Sequence, residues 1–243
     1  MEASVEVKIF KTPRKVVKAL AKGLIKITNA TSQSRFDIAL SGGKTPELFF
    51  EVLASKYPEG LPWDKIHFWW GDERCVPPDN KDSNYKLAYD CLISKVPVPP
   101  ENVHRIKGEE DPEKEAVVYG DEIDSQLNMR GEWPVFDLII LGLGNDGHTA
   151  SIFPDQIELF ETDANCAVSE HPITGQKRIT LTGSVINNAN RVFFLVTGKS
   201  KAMRISEIMN DEEAAKLLPA YYIHPENGEL TWFIDEEAAT LIS

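Results

Sequence analysis

Short apolar runs alternate with helix-like stretches along nearly the whole chain, and this alternation restricts the fold more than any other feature. The runs VEVKIF (5–10), RFDIAL (35–40), KIHFWW (65–70), FDLIILG (136–142), RVFFLVTG (191–198) and ELTWFID (229–235) read as strands. Between them, residues 14–31, 46–57, 83–93, 111–127 and 199–209 recur at helical spacing, and 235–242 reads as a last helical turn or two. Pro13 suits the first turn of its helix, and Ser83 or Asn84 suits the N-cap of the helix over 83–93. Strands joined through helices imply right-handed crossovers, so the pattern predicts an α/β fold: a doubly wound, mostly parallel sheet with helices on both faces. The Pro-rich stretch 94–106 reads as a loop rather than a linker, and a single domain over residues 1–243 is expected. In such sheets ligands sit outside the carboxyl ends of the strands. Motifs that directly follow a strand therefore carry the functional argument.

Totals remove several classes. A net charge of -12 argues against a general nucleic-acid binder, which needs a basic footprint, but not against a small anionic substrate met by a few converging cations. No apolar run approaches membrane-spanning length, and the N-terminus lacks the charged and apolar regions of a secretory signal. Cys75, Cys91 and Cys166 are widely spaced and form no C-x-x-C pair, so neither a disulfide framework nor a zinc site is suggested, and a reducing cytoplasm fits best.

Three turns after strands stand out. Ser41-Gly42-Gly43-Lys44-Thr45-Pro46 follows FDIAL and opens a helix, with Thr45 as its cap and Pro46 at its first position. Paired glycines at a helix N-terminus suit a phosphate, although the Walker A pattern is absent and a tight turn that binds nothing has the same sequence. Asp72-Glu73-Arg74 follows KIHFWW, and two carboxylates beside a guanidinium can move protons and stabilise an anion. Gly142, Gly144 and Gly147 then match the dinucleotide fingerprint G-x-G-x-x-G. That match fails on context: Pro154 would stop the helix after about two turns, and Asp163, near the expected ribose-binding distance, follows that break with no strand between. The alternative is that these glycines make room for Asp146 and His148 to project into a cleft, where a histidine can take a proton from water and a neighbouring carboxylate can orient the ring or hold it cationic. Arg178, Lys199 and Lys201 add late cations. Neither H-E-x-x-H nor Cys/His metal spacing occurs, so no obligatory metal is expected.

Taken in order, LSGGKTP, WGDERCVPPDNKDSNYKLA, LGLGNDGHTASIFP, RITLT with INNANRVFFLVTGKSKA, and WFID resemble the 6-phosphogluconolactonases of the wider glucosamine-6-phosphate isomerase/6-phosphogluconolactonase family, over about residues 5 to 240. The resemblance implies a Rossmann-like fold without a nucleotide or other cofactor. It implies hydrolysis of 6-phospho-D-glucono-1,5-lactone to 6-phosphogluconate in the oxidative pentose phosphate pathway. Ser41, Gly42, Gly43, Lys44, Thr45, Arg178 and Lys201 match phosphate-binding positions. His148 matches the base with Asp146 beside it, Arg74 an active-site arginine, and Asp72 and Glu73 the acidic pair. The family's deaminases carry D-E-Y where this chain has Asp72-Glu73-Arg74, and a deaminase or isomerase acting on glucosamine 6-phosphate is the alternative reading. The expected partner is a small phosphosugar lactone, with neither nucleic acid nor membrane, and the chain acting as a monomer or small homo-oligomer.

Overall fold

A computed structural model describes residues 4–242. In chain order it contains β1 (Ser4–Phe10), α1 (Pro13–Ala30), β2 (Phe36–Leu40), α2 (Lys44–Lys56), β3 (Ile66–Trp70), β4 (Asp72–Arg74), α3 (Asn84–Cys91), α4 (Pro112–Gln126), β5 (Met129–Arg130) and β6 (Trp133–Pro134). The second half holds β7 (Leu138–Leu141), β8 (Cys166–Glu170), β9 (Lys177–Leu181), α5 (Gly183–Asn187), β10 (Arg191–Val196), α6 (Ala202–Met209) and β11 (Glu229–Asp235).

Six strands form one sheet in the order β1-β11-β10-β7-β2-β3, every neighbouring pair parallel. All residues of β2 and of β7 are buried, which explains their unbroken apolar runs: a strand covered on both faces has no polar side to alternate with. Asp37 is the exception inside β2. Its carboxylate accepts from Arg35 Nε and from Trp69 Nε1 at 2.8 Å, so the buried charge is paired and hydrogen-bonded. From β2 the chain moves outward to β3, while from β7 it moves the other way to β10 and β11. The β2/β7 crevice is therefore the topological switch point, where open α/β sheets hold ligands.

The helices follow their apolar stripes. α1 buries Val16, Val17, Leu20, Ala21 and Leu24, with Thr12 as cap and Pro13 in the first turn. Ser83 caps α3 by accepting from Lys86 N at 3.0 Å. No helix among the described residues is long and apolar enough to cross a membrane.

Four local expectations need correction. α2 begins at Lys44, not Pro46, and its N-cap is Gly43 at φ +111°, a conformation that favours glycine. Thr45 does not cap, because its hydroxyl lies 2.9 Å from Thr197 Oγ1 at the end of β10. Residues 199–201 form a 3-10 turn before α6, and residues 236–241 form turns rather than helix. The sequence reading also missed a second, antiparallel sheet, β4-β9-β8.

Candidate active site

That small sheet positions half of the site. β4 pairs with β9 so that Asp72 faces Thr180, Glu73 faces Ile179 and Arg74 faces Arg178. Side chains alternate along a strand, so Asp72 and Arg74 share one face while Glu73 takes the other. The D-E-R triplet therefore cannot act as a unit. Asp72, Arg74 and Arg178 line a cleft of about 340 Å³ together with Ser41, Gly42, Gly43, Asn84, Gly142, Leu143, Gly144, Asn145, His148, Ala150 and Lys201. Glu73, Asp146, Lys44 and Thr45 do not line it.

Glu73 is 2% exposed, and its carboxylate accepts from Ser83 Oγ and from the backbone N–H groups of Arg74, Asn84 and Tyr85 at 2.7–2.9 Å. Burial pushes its carboxyl pKa up, against the pull of those hydrogen bonds. It satisfies orphan donors at the start of α3. Since Ser83 takes the capping position, the Asn84 side chain is free to reach Asp72, its Nδ2 donating to the backbone oxygen at 2.9 Å and to Oδ1 at 3.3 Å.

Asp72 is 5% exposed, and its Oδ2 accepts from Ser151 Oγ at 2.6 Å. Arg178 NH1 reaches the same Ser151 hydroxyl at 3.3 Å and stands 4.0 Å from Asp72 Oδ2. The guanidinium lies over the Phe153 ring, 5.5 Å from its centroid. Burial lowers the basicity of Arg178, Asp72 opposes that, and the neighbouring Arg74 reinforces it. The Nε atoms of both arginines are buried without a partner among the described residues. Arg74 NH1 donates to the Asp82 carbonyl at 2.5 Å.

The β2–α2 turn supplies a different element. Ser41 Oγ donates to Ile140 O at 2.8 Å, so its proton ties β2 to β7 rather than meeting a ligand. The first helical bond of α2 runs from Glu47 N to Gly43 O, which leaves the preceding N–H groups without intrahelical acceptors, and no side chain caps them. An uncapped helix N-terminus of this kind attracts anions. A Cβ on Gly42 would stand 1.8 Å from Asn84 Oδ1, so this close approach needs glycine. Lys44 is exposed and does not line the cleft.

The third element is the loop after β7. Gly144 N donates to His148 O at 2.8 Å and Gly147, at φ +87°, donates to Gly144 O at 3.2 Å, which folds Asp146 back on His148. His148 Nδ1 lies 2.6 Å from Asp146 Oδ1, and His148 N donates to the same oxygen at 3.2 Å. Burial pushes the Asp146 carboxyl up, but the hydrogen bond and charge of His148 outweigh it and bring it down to about 2. An ionised Asp146 can only accept, so it favours the tautomer with the proton on Nδ1 and the lone pair on Nε2. The ring packs 4.8 Å from Phe153. A Cβ on Gly144 would fall 2.2 Å from His148 Nδ1, so that glycine makes room for the pair. Lys201 Nζ donates to Asn145 Oδ1 at 2.6 Å, and burial lowers its basicity against the field of Asp146.

Sequence reasoning did not single out two cleft residues, or the buried Ser151 behind them, as functional: Asn84 reads only as an alternative cap, whereas Asn145 and Ser151 lie inside the motifs but carry no spacing signal of their own. Larger depressions of about 940 and 570 Å³ open at the amino ends of the strands. They lack the convergence of histidine, carboxylate and arginine that the smaller cleft at the carboxyl ends shows, which makes that cleft the candidate site. Among the described residues, no group of three or more His, Cys, Asp or Glu side chains could hold a metal ion.

The glucosamine-6-phosphate isomerase/6-phosphogluconolactonase family model matches residues 11–232. A 6-phosphogluconolactonase of Synechocystis is 41% identical over 226 residues, covering 92% of each chain. One of Haemophilus influenzae is 42% identical over 206 residues, 84% of this chain and 87% of the relative. The structure of 6-phosphogluconolactonase from Trypanosoma brucei superposes with a TM-score of 0.89 at 30% identity, covering 99% of this chain and 100% of the other.

Proposed function

The chain belongs to the glucosamine-6-phosphate isomerase/6-phosphogluconolactonase family, and from that premise we propose that it hydrolyses 6-phospho-D-glucono-1,5-lactone to 6-phosphogluconate in the oxidative pentose phosphate pathway. The observation that carries the reading is the Asp146–His148 pair, whose histidine lines the same cleft as two arginines with Nε atoms unpartnered among the described residues.

A lactone is a cyclic ester, so water must be deprotonated and the carbonyl oxygen must be stabilised as it gains charge. His148 Nε2 takes a proton from water as the water oxygen bonds to the carbonyl carbon. Asp146 holds the ring in that tautomer and favours the imidazolium that results. Arg74 meets the oxyanion, a contribution of about 3 kcal/mol in enzymes where one such donor has been removed. The intermediate collapses by breaking the bond from carbon to ring oxygen, and His148 returns its proton to that oxygen. Product release leaves the histidine neutral. No serine or cysteine nucleophile is needed.

The phosphate is held at the other end of the substrate by the N–H groups around Gly42 and Gly43 at the start of α2, by Arg178 and by Lys201. Fixing that end orients the lactone carbon for attack. Ser41, Lys44 and Thr45 belong to the same turn, with Ser41 and Thr45 holding its shape through Ile140 and Thr197. Asp72, gripped by Ser151 and Asn84, sets the Arg178 guanidinium. Glu73 acts through α3. The whole chain is taken as one domain. All three cysteines are unpaired, which supports a cytoplasmic location.

The test is to generate the lactone in situ by oxidising glucose 6-phosphate and to follow 6-phosphogluconate against the spontaneous blank. A rate above the blank, and a much lower rate on unphosphorylated glucono-1,5-lactone, is expected. No increase over the blank would sink the reading and make glucosamine 6-phosphate the next substrate to try.

A further inference from the structure

The two edges of the main sheet are treated differently. At the β3 edge, Val103 pairs with Phe68 and His104 N donates to Phe68 O at 2.8 Å, so the segment after the Pro-rich loop closes that side. At the other edge, β1 pairs with β11 and, among the described residues, with no strand beyond it. β1 contains no proline and no bulge in its seven-residue pairing with β11, two of the usual protections of an open edge.

Its side chains are also unusual for an edge. Val5, Val7 and Ile9 are 52%, 36% and 49% exposed. They stand in register with Leu230, Trp232 and Ile234, all three buried, so the apolar face of the sheet continues past its covering to the rim. On the opposite face Glu6 and Lys8 pair with each other at 2.8 Å, and Lys8 lies over the Phe233 ring.

We propose that β1 is a self-complementary docking edge that pairs antiparallel with β1 of a second copy, about a two-fold axis through Val7. In that register Val5 lies opposite Ile9 of the second copy, Val7 opposite its counterpart, and Glu6 opposite Lys8 twice over. Opposite charges across a ladder stabilise it, and like charges destabilise it. Slipping the register by two residues puts Glu6 against Glu6 or Lys8 against Lys8, and in-register parallel pairing does the same at both positions. The charge pattern therefore selects one arrangement, and that arrangement is isologous and closed. It joins two six-stranded sheets into one, extends a continuous apolar stripe across the junction and supplies the backbone partners that the edge lacks. The catalytic clefts, at the β2/β7 crevice of each copy, stay open. The inference does not depend on the proposed activity.

Sedimentation equilibrium from low to high micromolar concentration tests it. The intact chain is expected to reach a dimer. Glu6→Lys and Lys8→Glu, each at an exposed side chain, are expected to weaken dimerisation about tenfold or more, because each brings two like-charged pairs together. The double substitution Glu6→Lys, Lys8→Glu restores opposite charges at both pairs and is expected to recover the dimer, which a merely disrupted edge would not do. A chain that stays monomeric throughout, a dimer indifferent to either single reversal, or a double variant no better than the singles would each overturn the proposal.

Discussion

Arg74 and Arg178 stand directly opposite each other across the β4–β9 ladder, with Asp72 the nearest carboxylate, 4.0 Å from Arg178. Like charges in that position oppose folding unless something anionic joins them. The arrangement therefore trades stability for function. Arg178→Met keeps much of the side-chain volume and removes the charge. Its kcat/KM on the phosphorylated lactone is expected to fall about 100-fold, and its Tm to stay level or rise. Arg178→Lys should not restore activity, because an ammonium lacks the planar fork. A Tm several degrees lower in Arg178→Met would show that the arginine pair is a structural asset instead.

Gly144 has no room for a side chain beside the catalytic pair. Gly144→Ala puts a Cβ 2.2 Å from His148 Nδ1 and 2.4 Å from Asp146 Oδ1, and the ring must move. A misplacement of that order costs about 100-fold in kcat. Far-UV circular dichroism should match the parent chain, since the loop lies outside the sheet and helices.

The Asp146 carboxyl ionises at about 2, below its ordinary 3.8. A carboxyl held lower in the folded chain contributes stability above its unfolded value, and that contribution disappears as pH falls through the folded one. The difference in urea midpoint between the parent and Asp146→Asn is therefore expected to be present at neutral pH and to vanish between pH 3.8 and about 2. The effect is small because the carboxylate is 44% exposed. Its kinetic effect is larger: with an amide in place of an obligate acceptor the Nδ1–H tautomer is no longer enforced, and kcat should drop about 100-fold or more. An unchanged kcat would remove Asp146 from the mechanism.

Glu73 accepts only from donors. Glu73→Gln turns one acceptor into an NH2 facing those donors and leaves buried groups unpaired. The expected loss is about 1–3 kcal/mol in urea denaturation, with Asn84 shifted as α3 loosens. A stability equal to the parent's would contradict the helix-holding assignment.

The main sheet was legible because doubly covered strands have to be continuously apolar: LIIL and FDIAL can be little else when bounded by turns. The small sheet was not legible. β4 is three charged residues, and its pairing is dictated by β9 more than a hundred positions away. The role of Glu73 was hidden for the same reason, since side-chain alternation assigns it only once β4 is known to be a strand. Thr45 looked like a cap by type and position, yet a threonine hydroxyl serves equally well as a bridge, and Thr197 decides between the two. The Asp146–His148 pair was legible as a candidate because glycines crowd it, but the hydrogen bond between them depends on Gly147 at positive φ and on Gly144 lacking a Cβ.

The central claim is that His148 is the base of a lactone hydrolase, and the direct measurement compares the parent chain with His148→Ala in a pH-controlled assay on freshly generated 6-phosphogluconolactone, each rate taken above the spontaneous blank. The parent should exceed the blank, and His148→Ala should fall to it while retaining the parent's circular dichroism and its affinity for 6-phosphogluconate. Hydrolysis by His148→Ala at a rate close to the parent's would contradict the account.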